Sequence, residues 1–267
     1  MNPAPRRAGN QGDLQTVDLT DRRALARKVI EVLELTHLAD GCREEDVRAL
    51  CARAVTPHGA VAAVCVPSKF AWAAREELKG TKVAVCTVAN WPRGRSKVDY
   101  VAAEAEIAFY EGADEVNVVA PWRSLRAGDP RTPQKLIEES AHKAGRRQFI
   151  KATLETGELE EEFLVREAAK MCMDCGAEFL ETATGKTENR PTLEQARMIL
   201  EEIRDHRRGG GFKAGDVKTL DECRAYLELA AEIMGEDWID PDNIRLGGSA
   251  VLDEALAVLD EEEKAQA

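Results

Sequence analysis

Residues 179–186 read FLETATGK. Phe179 and Leu180 open the segment as a buried strand would, and the Thr-Gly-Lys end has the small residues of a turn, yet Glu181 stands where the strand runs out. A short apolar run bounded by turn residues suits a strand buried in a parallel sheet. The recurrence of this pattern decides the fold. Comparable runs are VLELT (32–36), AVAAVCV (60–66), KVAVCTV (82–88), EVNVVA (115–120), FIKATLET (149–156), EFLETAT (178–184), GFKAG (211–215) and IRLGG (244–248), each followed by a segment of helical periodicity. Successive strands begin roughly 20 to 33 residues apart, which leaves room for a helical crossover between parallel strands.

Eight such units in about 250 residues is the size of a (β/α)8 TIM barrel, whereas an open doubly wound sheet usually has about five to seven strands. No GxGxxG follows the first strand. The expected architecture is therefore α/β: one (β/α)8 barrel over residues 25–267, with an N-terminal helix or arm and a flexible tail at 1–24. Helix starts support the division. Thr192 and Gln195 have the capping-box spacing, and Thr219 precedes an acidic first turn.

The 267 residues are 44% hydrophobic and 32% charged, and no apolar run approaches the length of a membrane span. A formal charge of -12 without a long Lys/Arg block argues against nucleic acid, because phosphodiester binding needs a basic surface. The first residues, MNPAPRRAGNQGDLQTVDLT, carry no apolar core of a secretory signal, so a cytoplasmic protein is expected. The seven cysteines are an odd number and do not suit a disulfide framework. Cys172 and Cys175 form a CxxC, but they share a helical face with Leu164, Ala168 and Met171 and read as core. His37, His58, His142 and His206 have no common ligand spacing, so neither a metal nor a cofactor is expected.

In a barrel of this kind the interior is packed with apolar side chains and functional groups come from the C-terminal strand ends. The polar residues there are Glu34, Cys65, Asn90, Asn117, Lys151, Glu155, Glu181, Lys213 and Arg245. Three glycine clusters in the late loops read as an anion site: Gly185 with Lys186, Gly215 with Asp216 and Lys218, and Gly247 and Gly248 with Ser249. Backbone N–H groups approach an anion closely where no Cβ intervenes, and the loops after strands seven and eight are the usual phosphate site of such barrels. Cys65 and a hydroxyl at position 183 are expected to line the pocket.

From about residue 28 to 258 the chain resembles the deoxyribose-phosphate aldolases, DeoC-type class I aldolases. The motifs run in the family's order: LELTHLAD, AAVCVPSKF, TVANWPRG, GADEVNVVAP, LETGEL, TATGK, GFKAGDVKT and a final GGS. The resemblance implies cleavage of a small phosphorylated sugar or aldehyde through a lysine Schiff base, in an enzyme that is often a homodimer. It also implies departures. Glu181 stands where the family has its imine-forming lysine, and Asn117 where it has a proton-relaying aspartate. Lys213 matches the lysine that depresses the first one's pKa, Glu34 replaces a first-strand aspartate, and Asp216 occupies a glycine position of the phosphate loop.

A carboxylate cannot form an imine, and an amide cannot accept and return a proton. Several readings follow: a lyase whose nucleophile is replaced or has moved to Lys213 or Lys151; a non-covalent isomerase or dehydratase in which Glu181 and Lys213 are acid, base or electrophile; or a barrel that binds a phosphorylated ligand without turnover.

Overall fold

A computed structural model of the chain describes residues 18–266, with side chains through residue 261. Eight parallel strands close into a barrel: β1 (Leu33–Thr36), β2 (Ala63–Cys65), β3 (Ala84–Ala89), β4 (Glu115–Val119), β5 (Phe149–Thr153), β6 (Phe179–Glu181), β7 (Gly211–Ala214) and β8 (Ile244–Gly247). Each strand pairs with its neighbours in sequence, and β1 closes the ring by pairing Glu34 with Ala63 on one side and Gly247 on the other. The (β/α)8 architecture expected from the sequence is the one observed. None of the helices is long and apolar enough to cross a membrane, among the described residues.

The helix Arg22–Val32 begins inside the segment expected to be tail; residues 1–17 lie outside the described residues. Asp21 starts it, its carboxylate accepting from the N–H groups of Arg23 and Ala24, which satisfies donors that the first turn leaves without an intrahelical partner. Its buried face carries Leu25, Ala26, Val29 and Ile30, and it packs against the last helix, Ala250–Gln266. The capping box of Thr192 and Gln195 starts the helix Leu193–Asp205, and Thr219 caps Leu220–Met234 through the N–H of Glu222.

Strand alternation sorts the side chains into two sets. Leu33, Leu35, Val64, Val85, Val116, Val118, Ile150, Ala152, Leu180, Phe212, Ala214, Ile244 and Leu246 belong to the continuous apolar core. The alternate set contains Glu34, Cys65, Glu115, Asn117, Lys151, Thr153, Glu181, Lys213 and Arg245, all buried. The expectation of an apolar interior is thus corrected, since the alternate set brings six charged side chains together. They are tolerated there because opposite charges are paired, although Arg245 Nε and Nη1 are buried without a hydrogen-bond partner.

Several strands are shorter than the sequence runs. β6 ends at Glu181, and Gly185, at φ +70°, turns the chain out of the sheet. β5 gives way to a one-turn helix, Thr156–Leu159, after Glu155 in the left-handed conformation.

Candidate active site

The six charged groups form one chain of contacts. Glu181 Oε1 lies 2.7 Å from Lys213 Nζ. Lys213 donates to Glu34 Oε1 at 2.5 Å, and Lys151 donates to Glu34 Oε2 at 2.5 Å and to Glu115 Oε2 at 2.6 Å. Arg245 Nη2 completes it with a bond of 3.1 Å to Glu115 Oε1. Three carboxylates alternate with three cations, so the row is neutral when all are ionised. Each group is at most 5% exposed. Charges so buried persist only when paired and hydrogen-bonded.

Neighbouring residues make room for the row and add hydrogen bonds to it. Asn117 Nδ2 reaches Glu34 Oε1 at 3.4 Å while its Oδ1 accepts from the Cys86 thiol at 3.2 Å. Thr153 Oγ1 donates to Glu181 Oε2 at 2.5 Å. A Cβ at Gly247 would lie 2.9 Å from Lys213 Cε, so this glycine admits the lysine stem. Gly211 does the same for Phe179, whose ring would be 2.4 Å from a Cβ there and faces both Arg245 and Lys151 at 5.5 and 6.0 Å. Such cation–ring contacts favour the charged forms.

The titration of these groups follows from their partners. Burial pushes the Glu34 carboxyl up, but Lys151 and Lys213 overcome it and hold the group well below the usual carboxylate range. Glu115 is lowered in the same way, burial being outweighed by Lys151 and Arg245. Burial pulls the ammonium of Lys213 down, yet Glu181 and Glu34 outweigh it and leave its pKa raised. Lys151 is raised well above the ordinary value, its burial opposed by Glu115 and Glu34 among its neighbours. Neither lysine is the neutral amine that attack on a carbonyl requires. Lys151 is also fully buried, whereas Glu181 ends β6 at the C-terminal mouth of the barrel.

Above that mouth a cleft of about 470 Å³ is lined by Leu38 to Cys42, Pro67, Lys69, Val88, Trp91, Pro92 and Lys186, from the end of β3 and the loops after β1, β2, β3 and β6. None of the six charged residues lines it. It is of ordinary size for a small-molecule site.

The residues expected to hold phosphate also come together, but most of their donors have partners within the chain. Gly215 N–H donates to Thr182 Oγ1 at 2.9 Å and Gly248 N–H to Glu34 O at 3.3 Å. Ser249 Oγ both accepts from Thr36 N–H and donates to Thr36 O, tying β1 to the loop after β8. The Lys218 ammonium is ion-paired with Asp216. Lys186, exposed, is the cationic side chain of the set that faces the cleft.

The remaining expectations fare differently. Position 183 carries no hydroxyl: the residue is Ala183, buried, and the hydroxyls are those of Thr182 and Thr184. Cys65 is fully buried on β2. Asn90 ties its loop to β4, donating to Val119 O and accepting from Ser96 N–H. Glu155 holds the TATGK turn through Thr184 and Thr187, and burial, against those bonds, raises its pKa. His37, Cys42 and Asp46 do come within 4.8 Å of one another. However, Asp46 Oδ2 accepts from Arg43 N–H to start a helix, and burial pushes the Cys42 thiol up. The site residues missed by sequence reasoning are Glu115 and Thr153. The signal was there, since each lies two residues from Asn117 or Lys151 on the same strand and so on the same face.

Comparison with known proteins agrees with the barrel fold. Residues 15–220 match the model of the DeoC/LacD family aldolases. A deoxyribose-phosphate aldolase of Agrobacterium fabrum (strain C58) is 37% identical over 254 residues, covering 94% of this chain and 98% of that protein. Two Toxoplasma gondii ME49 crystal structures assigned to deoxyribose-phosphate aldolase are similar in fold. One has a TM-score of 0.82 at 24% identity, covering 92% of this chain and 97% of that one. The other, an apo-form, has a TM-score of 0.80 at 27% identity, covering 90% and 98%.

Proposed function

Because the chain belongs to the DeoC/LacD family of aldolases, which are carbon–carbon lyases, we propose that it is a deoxyribose-phosphate-aldolase-like lyase for a small hydroxy-carbonyl compound and that it works without an imine. The observation that carries this reading is the 2.7 Å pair of Glu181 and Lys213 at the mouth of the barrel, with Lys213 held as ammonium by a second carboxylate, Glu34.

An ammonium has three donors, and at most two are directed at these carboxylates. A third N–H is left to bond the substrate carbonyl oxygen. In the cleavage direction the Glu181 carboxylate takes the proton of the β-hydroxyl, the bond between the α and β carbons breaks, and its electron pair moves onto the carbonyl oxygen as an enolate. Lys213 stabilises that oxygen as charge develops on it. Glu181 then returns its proton to the enolate carbon, releasing the second carbonyl product. The same pair would also serve simple enolisation.

A second reading has support in two contacts. Both oxygens of Glu181 already have protein partners, Lys213 and Thr153, which suits a barrel that binds a ligand without turning it over. Two measurements separate the readings. Acetaldehyde in heavy water should exchange its α-hydrogens in the presence of the protein and lose that exchange in both Glu181→Gln and Lys213→Met. Reduction with borohydride in the presence of acetaldehyde should leave Lys213 and Lys151 unmodified in a peptide digest. An adduct on either lysine overturns the imine-free step; a lack of exchange overturns catalysis at this pair.

A further inference from the structure

We infer that the loops after β6, β7 and β8 receive an uncharged hydroxyl end of the substrate and disfavour a phosphate, because Asp216 supplies from within the chain the negative charge that a phosphate would bring. This rests on the small hydroxy-carbonyl substrate proposed above.

Asp216 has φ +61°, in the left-handed region, and its side chain is turned toward Gly185. A Cβ on Gly185 would lie 2.5 Å from Asp216 Cγ and 2.7 Å from Oδ1, so the glycine of the TATGK turn makes room for a carboxylate. That carboxylate engages Lys218 as an ion pair. A second basic group of this corner is matched too. Arg190 lies within 3.3 Å of both oxygens of Glu222 and donates to Asp216 O at 3.1 Å, and Glu222 also takes the backbone N–H of Lys218 at 2.8 Å. With Gly215 and Gly248 N–H already bonded, an incoming dianion meets a carboxylate and finds these two backbone donors engaged. A hydroxyl meets an acceptor in Asp216 and a donor in Lys218, and it can satisfy both at once.

The test uses 2-deoxyribitol and 2-deoxyribitol 5-phosphate, which have no carbonyl and can be neither cleaved nor trapped. Their binding is therefore independent of whether the lyase reading holds, and the exchange experiment tests that separately. Calorimetric titration of the full chain should give an affinity for the phosphate ester no greater than for the free polyol. Asp216→Gly keeps the left-handed backbone without strain and releases Lys218; it should shift the ratio toward the phosphate by tenfold or more. Asp216→Asn, which keeps the side-chain volume, should shift it several-fold. The inference is overturned if the unmodified protein prefers the phosphate by tenfold, as it would if Lys186 at the cleft bound the anion. It is equally overturned if the ratio is unchanged in both variants, or if neither compound binds any of the three proteins.

Discussion

Glu34 is the node of the buried charge row, so its neutralisation gives the sharpest test of the structure. Its two oxygens serve two different lysines, each at 2.5 Å. At a charge separation of about 3 Å and an effective dielectric of about 20, each attraction is roughly 5 kcal/mol before solvation. Desolvating each ion costs several kcal/mol, and removing one partner of a buried pair therefore leaves a net loss of about 3–5 kcal/mol. Glu34→Gln preserves the shape but leaves three cations facing two carboxylates. For a domain of this size about 1 kcal/mol corresponds to roughly 2–4 °C, so the melting temperature should fall by about 6–20 °C. Calorimetry or circular dichroism at pH 7 measures it.

The second variant depends on the order of the groups. Adding Lys151→Met to Glu34→Gln leaves two matched pairs, Glu181 with Lys213 and Glu115 with Arg245, and should recover at least half of the loss. Adding Lys213→Met instead leaves Glu181 without its cation and Glu115 between two, and should recover less. A melting temperature within about 2 °C of the unmodified protein for Glu34→Gln, or equal recovery by the two double variants, refutes the alternating row.

Three further outcomes follow. The pKa values of Glu34 and Glu115 are lowered in the folded state, so their stabilisation is complete above the unfolded carboxylate range of about pH 4–5 and is lost as pH falls through the folded values. Those of Lys151 and Lys213 are raised, so theirs is complete below about pH 10 and is lost as pH rises through the folded values. Urea titrations across pH should show a plateau between these limits for this contribution, and a steady slope through pH 6–9 in a Glu34-dependent manner contradicts it. Gly211→Ala places a Cβ 2.4 Å from the Phe179 ring and should cost about 1–3 kcal/mol in chemical denaturation; an unchanged midpoint would mean the ring is not packed as described. Glu181→Lys with Asn117→Asp should bring detectable deoxyribose-phosphate cleavage together with a borohydride-trapped adduct on the new lysine. A folded, inert double variant would mean that the pocket differs from the family's beyond these two positions.

The eight strand–helix repeats, the helix starts at Thr192 and Thr219 and the family motifs are all legible in the sequence, because they rest on local periodicity and turn chemistry. So is the substitution of Glu181 for a lysine. Alternation along EVNVVA and FIKATLET also says which residues share a face, and by that rule Glu115 and Thr153 were within reach. What alternation cannot give is the level at which each side chain sits along the barrel, since that depends on the stagger between strands from distant parts of the chain. Glu34 meets Lys151 and Lys213 across 117 and 179 residues, and Arg245 meets Glu115 across 130. Only the closed barrel brings six charges into one order, and that order turns two candidate nucleophiles into ammonium groups. The loop at Asp216 follows the same division. The sequence supplied a carboxylate among glycines, and the tertiary structure turned it inward against Gly185, where its charge meets Lys218 within the site expected to hold phosphate.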